Sequence, residues 1–100
     1  AEEAKKKLDE VKGRFAEREW YAAGFYRTRE RWPGVAARLE RLVKEYPGSP
    51  REPEALMGLA EAYLKMNERF RAQQALQQLL VRYPKDARRA EAERLLASLR

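Results

Sequence analysis

The chain has 100 residues, with 22 Lys and Arg against 16 Asp and Glu, and neither Cys nor His. That length makes one small domain with a modest core. The missing residue types exclude disulfides, thiolate nucleophiles, imidazole bases and the commonest zinc ligands. The net charge of +6 is unevenly spread: residues 67–100 carry eight basic and four acidic groups, whereas residues 33–66 carry five of each. A basic end of this kind suits an acidic protein, a nucleic acid or an anionic surface.

In chain order, the first predicted helix runs from about Glu2 to Glu30. Its inward stripe is expected at Leu8, Val11, Phe15, Ala22 and Phe25, spaced as one face of a helix. Gly13 weakens this helix without forcing a bend. Pro33-Gly34 breaks the chain, and Pro33 fits the first turn of a second helix over 33–45, where its missing N–H costs nothing. Val35, Leu39, Leu42, Val43 and Tyr46 form its stripe. The Tyr46-Pro47-Gly48-Ser49-Pro50 segment stops it, because the residue before a proline is pushed off helical angles.

A third helix is predicted over 52–66, with Leu56, Leu59, Ala60, Tyr63 and Leu64 inward. A turn at Asn67-Glu68 leads to a fourth over 70–82, with Ala72, Ala75, Leu76, Leu79 and Leu80 inward. Asp86 is placed to cap a fifth helix over 87–99.

The pattern returns after 37 residues. Leu39, Leu42, Val43, Tyr46 and Pro47 reappear as Leu76, Leu79, Leu80, Tyr83 and Pro84, and Ala23, Phe25 and Tyr26 align with Ala60, Ala62 and Tyr63. Self-similarity at that period marks stacked helix pairs, which build extended binding surfaces. The expected architecture is therefore all-α: one domain, an α-solenoid of antiparallel helix pairs with about five helices, the long helix at 2–30 followed by pairs at about 33–66 and 70–99. Trp32 lies fourteen residues before Tyr46 and Phe70 thirteen before Tyr83, so one inter-helix turn is expected to be a residue shorter than the other.

No residue constellation for catalysis is present. Ser49 and Ser98 are the only serines and have no histidine for a base, and no phosphate-loop or metal-binding motif occurs. A non-enzyme without cofactor or metal is expected. Contact with a partner is the alternative role for the exposed aromatic and basic groups. Trp20 and Tyr21 lie about 100° apart on the first helix and cannot share one narrow seam, so either a second packed layer covers the spare face or part of the Trp20–Trp32 aromatic cluster is exposed to a partner, with Phe25, Tyr26 and Trp32 expected in the core and Trp20 and Tyr21 open to either reading. Arg27, Arg29 and Arg31 close the first helix, where they suit its negative end, with carboxylate gripping as the other reading. Arg82, Arg88 and Arg89 form the densest basic spot. The candidate partner-binding residues are Trp20, Tyr21, Arg27, Arg29, Arg82, Arg88 and Arg89. Most basic residues have an acid three or four positions away, and no groove-reading motif occurs, so nucleic acid is not the expected partner.

The paired A-x-x-Y and Y-P signals resemble tetratricopeptide repeats. The ordered run Ala16, Glu17, Glu19, Ala23, Phe25, Tyr26, Trp32, Ala36 or Ala37, Glu40, Tyr46, Pro47, Ser49 and Pro50 resembles the BamD-type outer-membrane assembly lipoproteins, over about residues 8–84. Gly24 stands where that family usually has a larger residue. The resemblance implies a C-terminal fragment of a periplasmic scaffold that helps assemble β-barrel proteins into the bacterial outer membrane. It implies docking on the POTRA region of the barrel-assembly subunit and on neighbouring lipoproteins, and membrane attachment only through a lipid anchor not contained in this chain. Two rival readings remain: the tetratricopeptide domain of a periplasmic Tol-associated coordinator, and a basic adaptor for nucleic acid or an anionic surface, whose binding would fall steeply with salt.

Overall fold

In the computed structural model, which describes residues 2–100, five helices follow one another: α1 (Glu2–Thr28), α2 (Trp32–Glu45), α3 (Glu52–Lys65), α4 (Arg69–Arg82) and α5 (Arg89–Ser98). Each helix packs on its chain neighbours, α1 on α2, α2 on α3, α3 on α4 and α4 on α5. Short connections turn each helix back on the last. Helices α1, α3 and α5 thus run parallel on one side, with α2 and α4 on the other. The body measures 46 × 30 × 18 Å. It is the expected all-α solenoid, and among the described residues no strand occurs.

The 37-residue period is exact in the backbone. Helices α2 and α4 are both 14 residues long. Each is entered through a left-handed residue, Glu30 at φ 55° and Asn67 at φ 61°. In both copies the same carbonyl closes the turn: Tyr26 O accepts from Arg31 N at 2.9 Å and Tyr63 O from Glu68 N at 2.7 Å. The expected one-residue difference between these turns is not found. Trp32 corresponds to Arg69, not to Phe70, which points into solvent at 70 % exposure. The exits match as well, with Tyr46 O accepting from Ser49 N and Tyr83 O from Asp86 N.

The core is built from small and branched side chains. Leu39, Leu42, Leu56, Leu76 and Leu79 are fully or almost fully buried between Ala55, Ala60, Ala62 and Ala72. The expected stripes of α2, α3 and α4 all face inward, with Val43, Tyr46, Leu64 and Leu80 at their half-buried edges. Alanines bring the helix axes close. At Gly58 the approach is closer still: a Cβ there would stand 2.7 Å from Leu39 Cδ1. Burial at about 25 cal/mol per Å² of apolar surface drives this packing, and with no cysteine in the chain no disulfide adds to it.

The predicted stripe of α1 is corrected. Leu8, Val11, Phe15 and Phe25 are exposed, and the residues that face the core are Ala16, Glu19 and Ala23. Two physical reasons account for this. The 27 residues of α1 span about 40 Å and the 14 of α2 about 21 Å at 1.5 Å per residue, so α2 covers only the C-terminal half of α1. Where it does cover it, close packing selects alanine and moves large side chains to the flanks. Of the three aromatics expected inside, Tyr26 and Trp32 pack against the core. Phe25 stays outside at 54 % exposure, meeting Tyr26 edge to face at 5.7 Å.

The start of α5 is also corrected. Asp86 does not cap a helix at Ala87. Its Oδ1 accepts from Arg88 N at 2.9 Å, an Asx turn that delays the helix to Arg89. That backbone hydrogen bond, with the Arg88 guanidinium, holds the Asp86 carboxyl below its ordinary range.

Candidate interaction surfaces

Repeat geometry carries a repeated clasp. Arg51, in the turn before α3, reaches back to Glu17 on α1 with Nε to Oε1 at 2.6 Å and Nη2 to Oε2 at 3.2 Å. Hydrogen bonding to Glu17 raises its already high pKa. Thirty-seven residues on, Arg88 reaches Glu54 on α3 at 3.5 Å. The same Arg51 also holds Glu54 at 3.2 Å, so the acids and arginines form one ladder tying α1, α3 and the start of α5 together. The Arg51 guanidinium lies 5.0 Å from the Trp20 ring and 5.9 Å from the Tyr21 ring, within cation–π range.

Helices α1, α3 and α5 wall a groove of about 620 Å³. Trp20, Tyr21, Arg27 and Arg88 line it, so four of the seven sequence candidates come together here. Trp20 packs against the core and Tyr21 is 67 % exposed. Arg27 grips the carboxylate of Glu61 in a fork, Nε to Oε1 at 2.7 Å and Nη2 to Oε2 at 3.2 Å, which raises its pKa. The carboxylate-gripping role is thus met within the chain.

The other three candidates stand apart. Arg29 lies 3.6 Å over the Phe25 ring and donates to Phe25 O at 3.1 Å, the helix-end role read from sequence. Arg82 pairs with the fully buried Glu52 at 3.0 Å. Glu52 also accepts from the Tyr83 hydroxyl and, at 3.4 Å, from Gly48 N. Burial and that hydrogen bond push Tyr83 up to about 12. A second tyrosine–carboxylate contact joins Tyr63 to Glu40, and Tyr63 is likewise raised by burial. Arg89 pairs with Glu93 at 2.8 Å. The basic spot of Arg82, Arg88 and Arg89 is therefore laced with carboxylates.

A second concavity of about 600 Å³ opens between the end of α1 and the start of α2, lined by Tyr26, Arg31, Arg38 and Arg41. Sequence reading missed Arg38 and Arg41. Beneath them Glu19, 7 % exposed, sends one carboxylate oxygen toward each guanidinium, at 3.5 and 3.7 Å. Its Oε2 makes no hydrogen bond. The first turn of α2 has no acidic residue and no side-chain cap, so its positive end adds to the three arginines. The signal lay in the repeat: Glu19 occupies the position that Leu56 fills in the next copy, and Arg31, Arg38 and Arg41 become Glu68, Ala75 and Gln78.

The model of the YfiO family, described as outer membrane lipoprotein, matches residues 1–79. The chain belongs to that family. It is 33 % identical over 84 residues to the outer membrane protein assembly factor BamD of Xylella fastidiosa strain Temecula1, and 32 % identical over 84 residues to that of strain 9a5c. Each match takes in 84 % of this chain and 29 % of the relative; the chain spans under a third of the length of these relatives. The first helix pair, its Tyr46-Pro47 exit and the Arg51–Glu17 clasp lie within the span that matches the YfiO family.

Proposed function

We propose that this chain is a non-catalytic interaction scaffold in the machinery that assembles β-barrel proteins into the bacterial outer membrane. It works at the periplasmic face of that membrane, and its partners are the POTRA region of the barrel-assembly subunit and neighbouring lipoproteins. Family membership and the names of the relatives support the setting. The lack of histidine and cysteine supports a surface that binds rather than reacts.

One observation carries the docking role. Arg31, Arg38 and Arg41 line one concavity beside α2 in the first copy, and the second copy builds the same helix pair without them. Two of them also neutralise the buried Glu19, but the repeat fold forms without any of the three, so their exposed guanidinium faces remain available to an external partner. Guanidinium forks suit acidic side chains of a protein partner. The pairing of Arg82, Arg88 and Arg89 with carboxylates favours protein over nucleic acid, which would require uncommitted cations along the surface.

The test is a calorimetric titration of the chain with the isolated POTRA array of its own organism at two salt concentrations. Saturable binding in about the micromolar range, weakening with salt, is the expected result. A Glu19→Leu, Arg38→Glu, Arg41→Glu variant, which leaves no buried carboxylate facing the new acids, should bind at least about tenfold more weakly while its circular dichroism is unchanged. Absence of saturable binding by the folded chain overturns the proposal.

A further inference from the structure

We propose that the outer face of α4 is a self-association site, on which a second copy of this chain packs its own α4 in the antiparallel sense. The inference rests on α4 alone and does not depend on the arginine cluster of α2.

The pattern of α4 is the first observation. Ala72, Ala75, Leu76 and Leu79 face the core, and the opposite face carries Phe70, Gln74, Gln77 and Val81, all exposed. Phe70 is 70 % and Val81 79 % exposed, more than any other large apolar side chain among the described residues. Steps of four, three and four residues keep the four positions within about 60° of one another on the helix. That is the spacing of a coiled-coil seam. In the first copy the corresponding positions of α2 are Pro33, Ala37, Glu40 and Lys44, so the repeat does not require such a face.

Charge is the second. Asp, Glu, Lys and Arg make up 38 % of the chain, yet this seam and the exposed Gln78 beside it carry none. Of the arginines that flank it, Arg71 lies 5.9 Å from the Tyr63 ring and Arg82 pairs with buried Glu52 at 3.0 Å. A charged partner surface would lose hydration here without gaining a counter-charge. A second neutral seam loses nothing of that kind.

Self-complementarity identifies the occupant. Read from either end, the seam runs apolar, amide, amide, apolar with the same spacing. In an antiparallel pair Phe70 of one protomer therefore meets Val81 of the other, and Gln74 meets Gln77, each contact occurring twice about a two-fold axis. A large ring opposite a small branched side chain fills the layer at each end. Each central amide both donates and accepts, so the two Gln layers satisfy one another and fix the register. The flanking positions set Arg71 beside Gln78 and Gln73 beside Leu80, with no like charges across the seam.

The contact is about 16 Å long, eleven residues at 1.5 Å each. One helix pair of that length stays below the roughly 1,200 Å² of a standard interface. The dimer is accordingly weak, with a dissociation constant on the order of 10–100 µM. Each protomer carries a net charge of +6, so added salt should tighten the pair by screening their repulsion. This is the reverse of the effect expected at the arginine cluster, so the two proposals fail separately.

The test is analytical ultracentrifugation of the intact chain from about 10 µM to about 1 mM at two salt concentrations. A monomer–dimer equilibrium that salt strengthens is expected. Val81→Arg, at an exposed position, should weaken it at least about tenfold with unchanged circular dichroism. Orientation is read by cross-linking, since the chain has no cysteine of its own. Under mild oxidation a mixture of Phe70→Cys and Val81→Cys chains should form a disulfide. Either variant alone should not, because identical positions lie about 16 Å apart in the antiparallel pair. Sedimentation as a monomer at about 1 mM overturns the proposal. So does a dimer that the folded Val81→Arg chain keeps, or one in which a single variant cross-links to itself. A monomeric chain that loses POTRA binding on Val81→Arg would assign the face to a different protein and likewise overturn it.

Discussion

The two copies of the helix pair share a backbone and differ in what they place on it. Both enter their second helix through a left-handed residue, both leave it through Tyr-Pro, and both hang an arginine back onto an acid of their own first helix, Arg51 on Glu17 and Arg88 on Glu54. These shared features are structural. The differences are concentrated at Glu19 against Leu56, Arg38 against Ala75, Arg41 against Gln78 and Gly24 against Glu61. Each replaces a residue the fold would accept with one it has no need of. An internal repeat therefore acts as its own control: what both copies keep holds the solenoid together, and what one copy alone carries builds the surface particular to that copy.

The largest expected effect breaks the shared part. Leu42 and Leu79 occupy the same position in the two copies and both are fully buried. Leu42→Ala and Leu79→Ala should each cost about 2–5 kcal/mol in urea denaturation, transfer and cavity terms together. A cost in one copy and none in the other would show that the two pairs do not fold as a unit.

The next substitution makes the first copy resemble the second. Glu19→Leu replaces a buried carboxylate, set at ion-pair distance from two arginines but without a hydrogen bond on Oε2, by the residue its counterpart uses. Stability should be unchanged or rise by about 1–4 kcal/mol, because a buried ion pair often gains less from attraction than it loses in desolvation. Affinity for the POTRA array should fall at the same time, since Arg38 and Arg41 lose the group that positions them. Gain of stability with loss of binding is the signature; loss of both would make Glu19 a structural residue.

Alkaline pH separates the copies more gently. In the first, Tyr46 stacks on Phe15 at 6.1 Å; in the second, Tyr83 is bound to buried Glu52 and pushed up to about 12. A tyrosine raised on folding favours the folded state below its unfolded pKa of about 10, and that contribution disappears as pH rises through the folded value. Melting temperature should therefore fall between about pH 10 and 12, and Tyr83→Phe should flatten part of that fall, Tyr63, also raised by burial, keeping the rest.

Legibility in the sequence followed the same division. Helix order, the α2–α4 stripes and the Tyr-Pro exits were readable because they recur and because proline and apolar spacing act locally. The face of α1 was not, since it depends on how far α2 reaches along it, a tertiary length that no periodicity encodes. Phe70 misled for a related reason: an aromatic near a helix start invited alignment with Trp32, whereas the left-handed Asn67 sets the register. The groove was half legible. Trp20 and Tyr21 betrayed it by their angular spread, but Glu91 and Leu95 join it only through the packing of α5. The arginine cluster carried a signal that went unused, a charged residue at the position where the next copy has leucine.

The smallest effect concerns the ion pairs that sequence reading picked out. The side chains of Arg27 and Glu61 are 60 % and 36 % exposed, so solvent and salt screen their fork, and a double-mutant cycle of Arg27→Gln with Glu61→Gln should give under about 1 kcal/mol. The Arg51–Glu17 pair is less exposed, at 26 % and 41 %, and shares its arginine with Glu54, so its cycle should give the larger coupling. Sharing matters because an arginine already fixed by one acid loses little further freedom in meeting a second. Should Arg27–Glu61 prove the stronger, the rim of the groove would be a structural brace rather than a neutralised edge open to a partner. The distinction between what both copies keep and what one copy displays would then have to be redrawn at Arg27, since its counterpart, Leu64, carries no charge.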